Sequence, residues 1–210
     1  MTITIVTPWL EHPELAADYT DALIGELQPG DTVYVIDNGG APAIPFAMMI
    51  RPGENLGYAR GSNLGLELAD TDTVVFLNND IAVRGTGWLA AIRSAVEPGV
   101  LAGPILDPAH ATVDGHRFPY IDGWCLAGMT TDLRELGGFD PRLEEPAYYA
   151  DNLLCLAARQ AGMRLRHVNV GLHHKLSVTA GPDGNPDAAP AAAANRALYL
   201  TTVRSVLVNL

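Results

Sequence analysis

The residues best suited to chemistry stand at Asn78-Asn79-Asp80, directly after the apolar run Thr73-Val74-Val75-Phe76-Leu77. A carboxylate at the end of a buried strand, flanked by two amides, offers the oxygen ligands that a hard divalent cation takes, and it leaves positions open for a diphosphate. The same three residues are also ordinary turn formers. Upstream, residues 53–63 read Gly-Glu-Asn-Leu-Gly-Tyr-Ala-Arg-Gly-Ser-Asn. This stretch is glycine-rich but holds no G-x-G-x-x-G and no phosphate-loop lysine. Gly57 and Gly61 would let backbone approach a nucleotide closely. Glycines that merely ease a loop into a helix would look the same.

Strand ends have to bring these residues together. Residues 2–6 form a β-branched run ending at Thr7-Pro8, and residues 32–36 form a second run ending in Asp37-Asn38-Gly39-Gly40. Residues 48–50 read as a short third strand, and residues 73–77 are the most strand-like of all. Between them, Leu15, Tyr19, Leu23 and Leu27 mark an apolar helical face between Pro13 and Pro29-Gly30. A further helix starts within 53–63 and runs to about Ala69, and residues 88–96 form another. This alternation predicts an α/β domain with a mostly parallel central sheet and helices on both faces. Ligands of such sheets bind beyond the carboxyl ends of the strands, where Thr7-Pro8, Asp37-Asn38 and Asn78-Asn79-Asp80 would gather.

The second half is more broken. Short strand-like segments fall at 100–105 and 118–128, and a short helix capped by Thr131 or Asp132 would end at Gly137-Gly138. Residues 150–161 read as a helix with Gly162 as its left-handed cap, followed by a late strand at 164–170. Residues 178–195, rich in Ala, Pro, Gly and Asp, read as a flexible loop, and residues 196–210 as a closing helix. There is no internal repeat.

Composition narrows the function. Of 210 residues, 48% are hydrophobic and 18% charged, which suits a folded core and not a disordered or coiled-coil chain. Thirteen basic against 24 acidic residues give a net charge of −11, which opposes nucleic-acid binding. It does not oppose a phosphate ligand held through a cation, because the cation supplies positive charge locally. Cys125 and Cys155 are too few for a disulfide framework or a zinc site and suit reduced thiols. The first residues lack the basic region and long apolar run of a signal peptide. No window reaches the roughly 20 apolar residues of a membrane span. A cytoplasmic protein without a transmembrane segment is expected.

In order, the segments resemble the family 2 glycosyltransferases of the GT-A fold, most nearly their rhamnosyltransferase-like branch. The resemblance is carried by Val35-Ile36-Asp37-Asn38-Gly39, by Asn55-Leu56-Gly57 through Asn63-Leu64-Gly65, and by Phe76-Leu77-Asn78-Asn79-Asp80. It continues in Gly137-Gly138-Phe139-Asp140, in Tyr149-Ala150-Asp151 through Cys155 to Gly162, and in His173-His174-Lys175-Leu176-Ser177. It implies a Rossmann-like GT-A catalytic domain at 1–177, with a nucleotide-sugar-binding half at 1–105 and an acceptor-binding half at 106–177.

The resemblance also implies roles. Asp37 would contact the base or ribose. Thr7, Pro8, Asn55, Gly57 and Asn63 would line the nucleotide pocket, with Arg60, Asn78 and Asn79 also on the nucleotide sugar. Asp80 would sit at a Mn²⁺ or Mg²⁺ and the diphosphate, with His173 or His174 as second protein ligand, since imidazole suits manganese-like ions. Asp151 would be the general base. At a helix N-terminus its charged form is favoured, and a base must be ionised; a plain N-cap also explains an Asp there. Asp122, Gly123, Trp124 and Tyr149 would border the acceptor, and Trp124 could either stack on a sugar or pack in the core. Two positions depart from the pattern: Ala150 replaces the acidic residue before Asp151, and Leu153 replaces a second Asp.

The expected activity is therefore an inverting, metal-dependent transfer from a nucleoside-diphosphate sugar to a hydroxyl acceptor. That acceptor could be a glycan, a lipid-linked sugar, a small molecule or a protein. One rival is a catalytically silent nucleotide-sugar-binding protein, suggested by Ala150 and Leu153. Another is a nucleotidyltransferase, which needs more basic residues around a triphosphate than this chain offers. The closing helix, with Leu198, Leu200, Val203, Val206 and Leu207, could pack on the core or pair two copies in a homodimer.

Overall fold

Strands buried on both faces need apolar side chains at every position, and those side chains must alternate between two layers. The computed structural model, which describes residues 1–104, 106–107, 112–145, 148–175 and 188–208, shows how the chain meets this demand. The first half contains β1 (Ile3–Leu10), a 3₁₀ turn (Pro13–Leu15), α1 (Ala16–Leu23), β2 (Thr32–Gly39), β3 (Met48–Ile50) and α2 (Gly57–Leu68). It continues with β4 (Thr73–Leu77), β5 (Ile81–Val83), α3 (Trp88–Ala95) and β6 (Val100–Gly103). Four two-residue strands follow: β7 (Leu106–Asp107), β8 (Thr112–Val113), β9 (His116–Arg117) and β10 (Tyr120–Ile121). The remaining elements are β11 (Cys125–Met129), α4 (Thr130–Glu135), α5 (Ala150–Gln160), β12 (Arg164–His167), β13 (Leu172–His174) and α6 (Ala188–Val208).

Seven strands form the central sheet in the order β12-β6-β11-β4-β1-β2-β3. Its pairs are parallel except at β11, which runs against both β4 and β6. That reversal has a direct consequence. The start of β11 lies beside the end of β4, with Cys125 opposite Leu77, so residues 122–124 arrive at the edge where the parallel strands end. Alternation along β4 splits the core: Val74 and Phe76 join the layer under α2, α5 and α6, while Val75 and Leu77 join the layer under α1 and α3. The α/β class and the two helical faces agree with the sequence expectation.

Several local readings need correction, among them the helix expected through Leu27, which ends at Leu23, and the strand expected at 164–170, which ends at His167. Strand β1 continues through Thr7-Pro8 to Leu10 because β2 pairs with it that far. Asp132 does not cap α4. Its Oδ2 accepts from the Gly99 amide at 2.7 Å, and Met129 holds the cap position in an extended conformation. The closing helix begins at Ala188, eight residues before the expected start at 196. Alanine has the highest helix propensity, and Pro190 falls in the first turn, where its missing N–H has no helical partner to lose. The remainder of the expected loop, 178–187, lies outside the described residues. Tyr199 and Val203 are buried in the core layer, so α6 packs on its own chain. Among the described residues, no helix is long and apolar enough to cross a membrane.

Helix α2 sits close to the sheet because Gly65 lacks a side chain. A Cβ there would lie 2.2 Å from Val6 Cγ1. Val6 is fully buried in the sheet centre and cannot give way. Gly65→Ala should therefore lower the unfolding free energy by about 1–3 kcal/mol, as overpacked cores do, measured by urea denaturation. A variant as stable as the wild type would show that α2 can lift off the sheet at no cost.

Candidate active site

Strand β4 carries Asn78-Asn79-Asp80 beyond its carboxyl end. A short antiparallel pair then brings a distant segment onto it: β13 pairs with β5, with His174 opposite Ile81. The Lys175 amide donates to the Asp80 carbonyl at 2.8 Å, and the Lys175 side chain pairs with Asp18 on α1. Asp80, 2% exposed, places Oδ1 3.0 Å from His174 Nε2. Asn78 Nδ2 lies 3.3 Å from the same His174 nitrogen. His173 is the neighbouring residue on the strand and so projects to the opposite face. The structure brings His174, and not His173, to Asp80.

Two ligands about 2.1 Å from an octahedral ion and at right angles to each other lie about 3.0 Å apart, so the pair fits a small divalent cation. Among the described residues, no group of three or more His, Cys, Asp or Glu side chains could hold a metal. A cation held by Asp80 and His174 would therefore take its other ligands from a diphosphate and water. Asn79 Nδ2 and Trp124 Nε1 are buried donors without a partner among the described residues. Unpaired buried donors beside such a pair suit an oxygen-rich ligand.

The turn Asp122-Gly123-Trp124 joins this pair to Asp151. The Asn78 amide donates to the Trp124 carbonyl at 2.8 Å. The Trp124 ring stacks on His174, with centroids 5.3 Å apart and planes within 4°. Trp124 is 4% exposed, which favours packing on the histidine over a platform for sugar. One residue earlier, the Gly123 amide donates to Asp151 Oδ2 at 2.9 Å. Tyr58 from α2 donates its hydroxyl to the Gly123 carbonyl at 2.7 Å. A side chain at 123 would crowd both, its Cβ lying 3.3 Å from Asp151 Cβ and from the Tyr58 oxygen. Burial, then the nearby charges of Asp151 and Asp122, push the Tyr58 hydroxyl well up, so it remains a neutral donor.

Asp151 occupies the first turn of α5 as expected, but its charge is not favoured there. Burial and then the neighbouring Asp122 push its carboxyl up to about 7, against the pull of the Gly123 and Asn152 amides. Desolvation outweighs the helix terminus. A carboxyl titrating near neutrality is matched to general-base work.

Many motif residues between 37 and 63 are found holding the loops. Asn38 Oδ1 accepts from the Leu56 amide at 3.0 Å, and Asn55 Oδ1 from the Gly57 amide at 2.8 Å. Glu145 then accepts from the Tyr58 amide at 2.8 Å and the Ala59 amide at 3.3 Å. All four amides at the start of α2 are thus satisfied by the chain's own side chains. Gly57 leaves room for this carboxylate, since a Cβ there would lie 1.9 Å from Glu145 Cδ. Burial raises the Glu145 carboxyl, while the two amides act in the other direction. Asn63 grips Phe139 with its whole amide, accepting from the backbone N–H at 2.8 Å and donating to the carbonyl at 2.9 Å.

Thr7 is fully buried and hydrogen-bonded to the Tyr19 hydroxyl at 2.7 Å, and Pro8 packs beside Gly61. Asp37 Oδ1 accepts from the Gly39 and Ala41 amides, each at 3.1 Å, and Oδ2 faces Arg51 Nε at 3.4 Å. Arg60 folds back on the Leu56 carbonyl. Sequence reasoning places Asn38 at the sheet edge without a role and assigns none to Tyr58 or Glu145. The acidic pair Glu144-Glu145 ahead of Tyr148-Tyr149 was the available signal for the last of these.

No family model matches the chain. An uncharacterized protein of Mycobacterium bovis and one of Mycobacterium tuberculosis are each 37% identical to it over 171 residues. That match covers 70% of this chain and 65% of theirs, so the chain spans about two thirds of the length of these relatives. Solved glycosyltransferases share its fold. A mannosyltransferase from Pyrobaculum calidifontis, in complex with GDP-Man and Mn²⁺, superposes with a TM-score of 0.63 at 19% identity, covering 79% of this chain and 54% of its own. GalNAc-T7 with UDP, GalNAc and Mn²⁺ gives 0.66 at 12% identity, covering 83% and 44%. Drosophila β1,4-galactosyltransferase 7 with xylobiose gives 0.57 at 13% identity, covering 83% and 70%. The chain has the mixed α/β fold of GT-A glycosyltransferases.

Removing the carboxylate from the start of α2 should cost about 1–2 kcal/mol, as lost helix caps do, in Glu145→Ala. Gly57→Ala should cost less in the Glu145→Ala background than in the wild type, because the clashing carboxylate is gone. Additive effects in this double-mutant cycle, read by urea denaturation, would show that Gly57 does not serve Glu145.

Proposed function

We propose that this chain transfers a sugar from a nucleoside-diphosphate sugar to an acceptor hydroxyl with inversion at the anomeric carbon. In this reading Asp151 is the general base, and Asp80 with His174 holds a Mn²⁺ or Mg²⁺ against the donor diphosphate. One observation carries it: a single three-residue turn touches His174 through Trp124 and Asp151 through Gly123. The pair suited to a cation and the carboxyl suited to a proton are thereby held on one edge of the sheet. The GT-A fold, and the nucleotide or nucleotide sugar and Mn²⁺ present in its solved neighbours, support the same reading. The order of motifs favours the rhamnosyltransferase-like branch.

The chemistry assigned to the chain's own residues is limited. Asp151 takes the proton from the acceptor hydroxyl as that oxygen bonds to the anomeric carbon and the bond to the diphosphate oxygen breaks. Asp122, Gly123, Trp124 and Tyr149 border the space in front of Asp151. Of these, Trp124 acts by fixing His174. Asn79 Nδ2 and Trp124 Nε1 are available to donate to donor oxygens. When bound, the cation offsets negative charge on the departing diphosphate. Asp37, Asn55, Gly57, Arg60 and Asn63 shape the nucleoside side by holding its loops. Direct contact with the base or ribose is proposed for Asp37.

Transfer from UDP-, dTDP- and GDP-sugars with Mn²⁺ present tests this. Asp151→Asn should lower kcat by about 10²–10⁴-fold, the usual contribution of a positioned base. Asp80→Ala and His174→Ala should each weaken Mn²⁺ activation. A wild type that neither transfers nor hydrolyses any such donor would favour the silent binding protein instead.

Acidity follows from the same carboxyl. Asp151 must be ionised to accept a proton, so kcat should rise with pH through about 7. Stability should run the other way. The folded carboxyl keeps its proton up to about 7, while in the unfolded chain it ionises near its ordinary 3.8. The folded state binds the extra proton between these values, so wild-type stability falls across that window. The melting temperature of Asp151→Asn relative to wild type should therefore increase from pH 4 to pH 7.5. A constant difference would mean that Asp151 ionises normally in the fold.

A further inference from the structure

Helix α6 reaches the catalytic region through two side chains one turn apart. Asn195, 1% exposed, accepts from the Glu144 amide at 2.8 Å and donates to the Glu144 carbonyl at 2.7 Å. Tyr199, 2% exposed, stacks on Tyr149 with centroids 5.5 Å apart and planes 24° from parallel. Tyr149 is the unusual residue here. It holds φ +72° and ψ 8°, in the left-handed region that non-glycine residues rarely enter. It is also the cap of α5: its carbonyl accepts the helix's first bond, from Leu153 at 3.0 Å, and Asp151 is two residues on. Such a conformation persists only where its surroundings hold it, and it tends to occur where geometry serves function.

We infer that Asn195 and Tyr199 are positioning residues for Asp151, through which helix α6 holds the left-handed cap at Tyr149 and with it the start of α5. The inference rests on the reading of Asp151 as base. The groups facing Asp151 come from several elements: Asp122 before β11, Tyr58 on α2, Cys155 on α5 and Tyr199 on α6. Burial, then the neighbouring Tyr149 and Asp151, raise the Tyr199 hydroxyl, which has no hydrogen-bond partner among the described residues. The ring, and not the hydroxyl, is therefore the part assigned to the task.

Carboxyl-¹³C aspartate labelling reads Asp151 without any donor, with Asp151→Asn assigning its signal. Wild-type Asp151 should titrate with a midpoint of about 7. Tyr199→Leu keeps apolar volume but loses the stacked ring, and should move the midpoint down by about one unit as the cap relaxes and the carboxyl leaves its buried position. Asn195→Ala should move it the same way, and Tyr199→Phe should restore the wild-type midpoint. In transfer assays the first two should lower kcat by about 10–100-fold, the cost of ångström-scale misplacement, with the donor KM within about twofold.

A folded Tyr199→Leu with wild-type titration and kcat would overturn the inference, as would an Asp151 that titrates normally in the wild type. If Tyr199→Leu does not fold, Asn195→Ala decides alone by the same criteria. If Asp151→Asn leaves transfer intact, the base assignment fails on that result, while the titrations still report whether α6 positions the carboxyl.

Discussion

The Gly123 amide donates to Asp151 at 2.9 Å, and its carbonyl accepts from Tyr58 at 2.7 Å. Through this one peptide segment α2, the start of β11 and the start of α5 are tied together. The next residue carries the connection on, because Trp124 lies flat on His174, which faces Asp80 at 3.0 Å. The arrangement depends on the reversed strand. A parallel strand in the place of β11 would deliver its end, not its beginning, to the edge where β4 and β1 terminate. Residue 123 also has to be small, since any side chain would crowd Asp151 and Tyr58.

The site holds several groups in states that cost folding free energy. Asp151 is desolvated beside Asp122, Tyr149 is left-handed, and Asn79 and Trp124 keep buried donors without partners among the described residues. Each is the kind of local violation that a stable scaffold can support at a functional site. The supports are visible in the surrounding structure. Asn63 clamps Phe139, Glu145 with Asn38 and Asn55 satisfies the start of α2, and Asn195 clamps Glu144. Polar side chains set the loop positions, while apolar layers on both faces keep the sheet rigid beneath them.

Much of this was legible in the sequence because its signals are local. The run Thr73–Leu77 was readable as a strand from its β-branched and aromatic content, and it is one, with the same bounds. Gly162 was readable as a left-handed cap and has φ +81°. What escaped was long-range. Nothing within residues 172–174 announces that they will pair with residues 81–83, and only that pairing decides that His174 meets Asp80. Similarly, residues 55–63 are readable as a glycine-rich nucleotide loop, but Glu145, which accepts from the Tyr58 amide, and Phe139, which Asn63 grips, lie more than seventy residues away. The place of Asp151 at a helix start is legible from its own segment. Its ionisation is not, because burial and the neighbouring Asp122, brought in from before β11, outweigh the helix terminus.

In the proposed mechanism the cation pair and the base share one turn. Mn²⁺ titrated into ¹⁵N-labelled protein with UDP or GDP present probes that turn through paramagnetic broadening. The Trp124 indole and the Gly123 amide should broaden among the first signals, and His174→Ala should abolish the effect. Broadening that leaves both signals untouched while residues elsewhere disappear would contradict it.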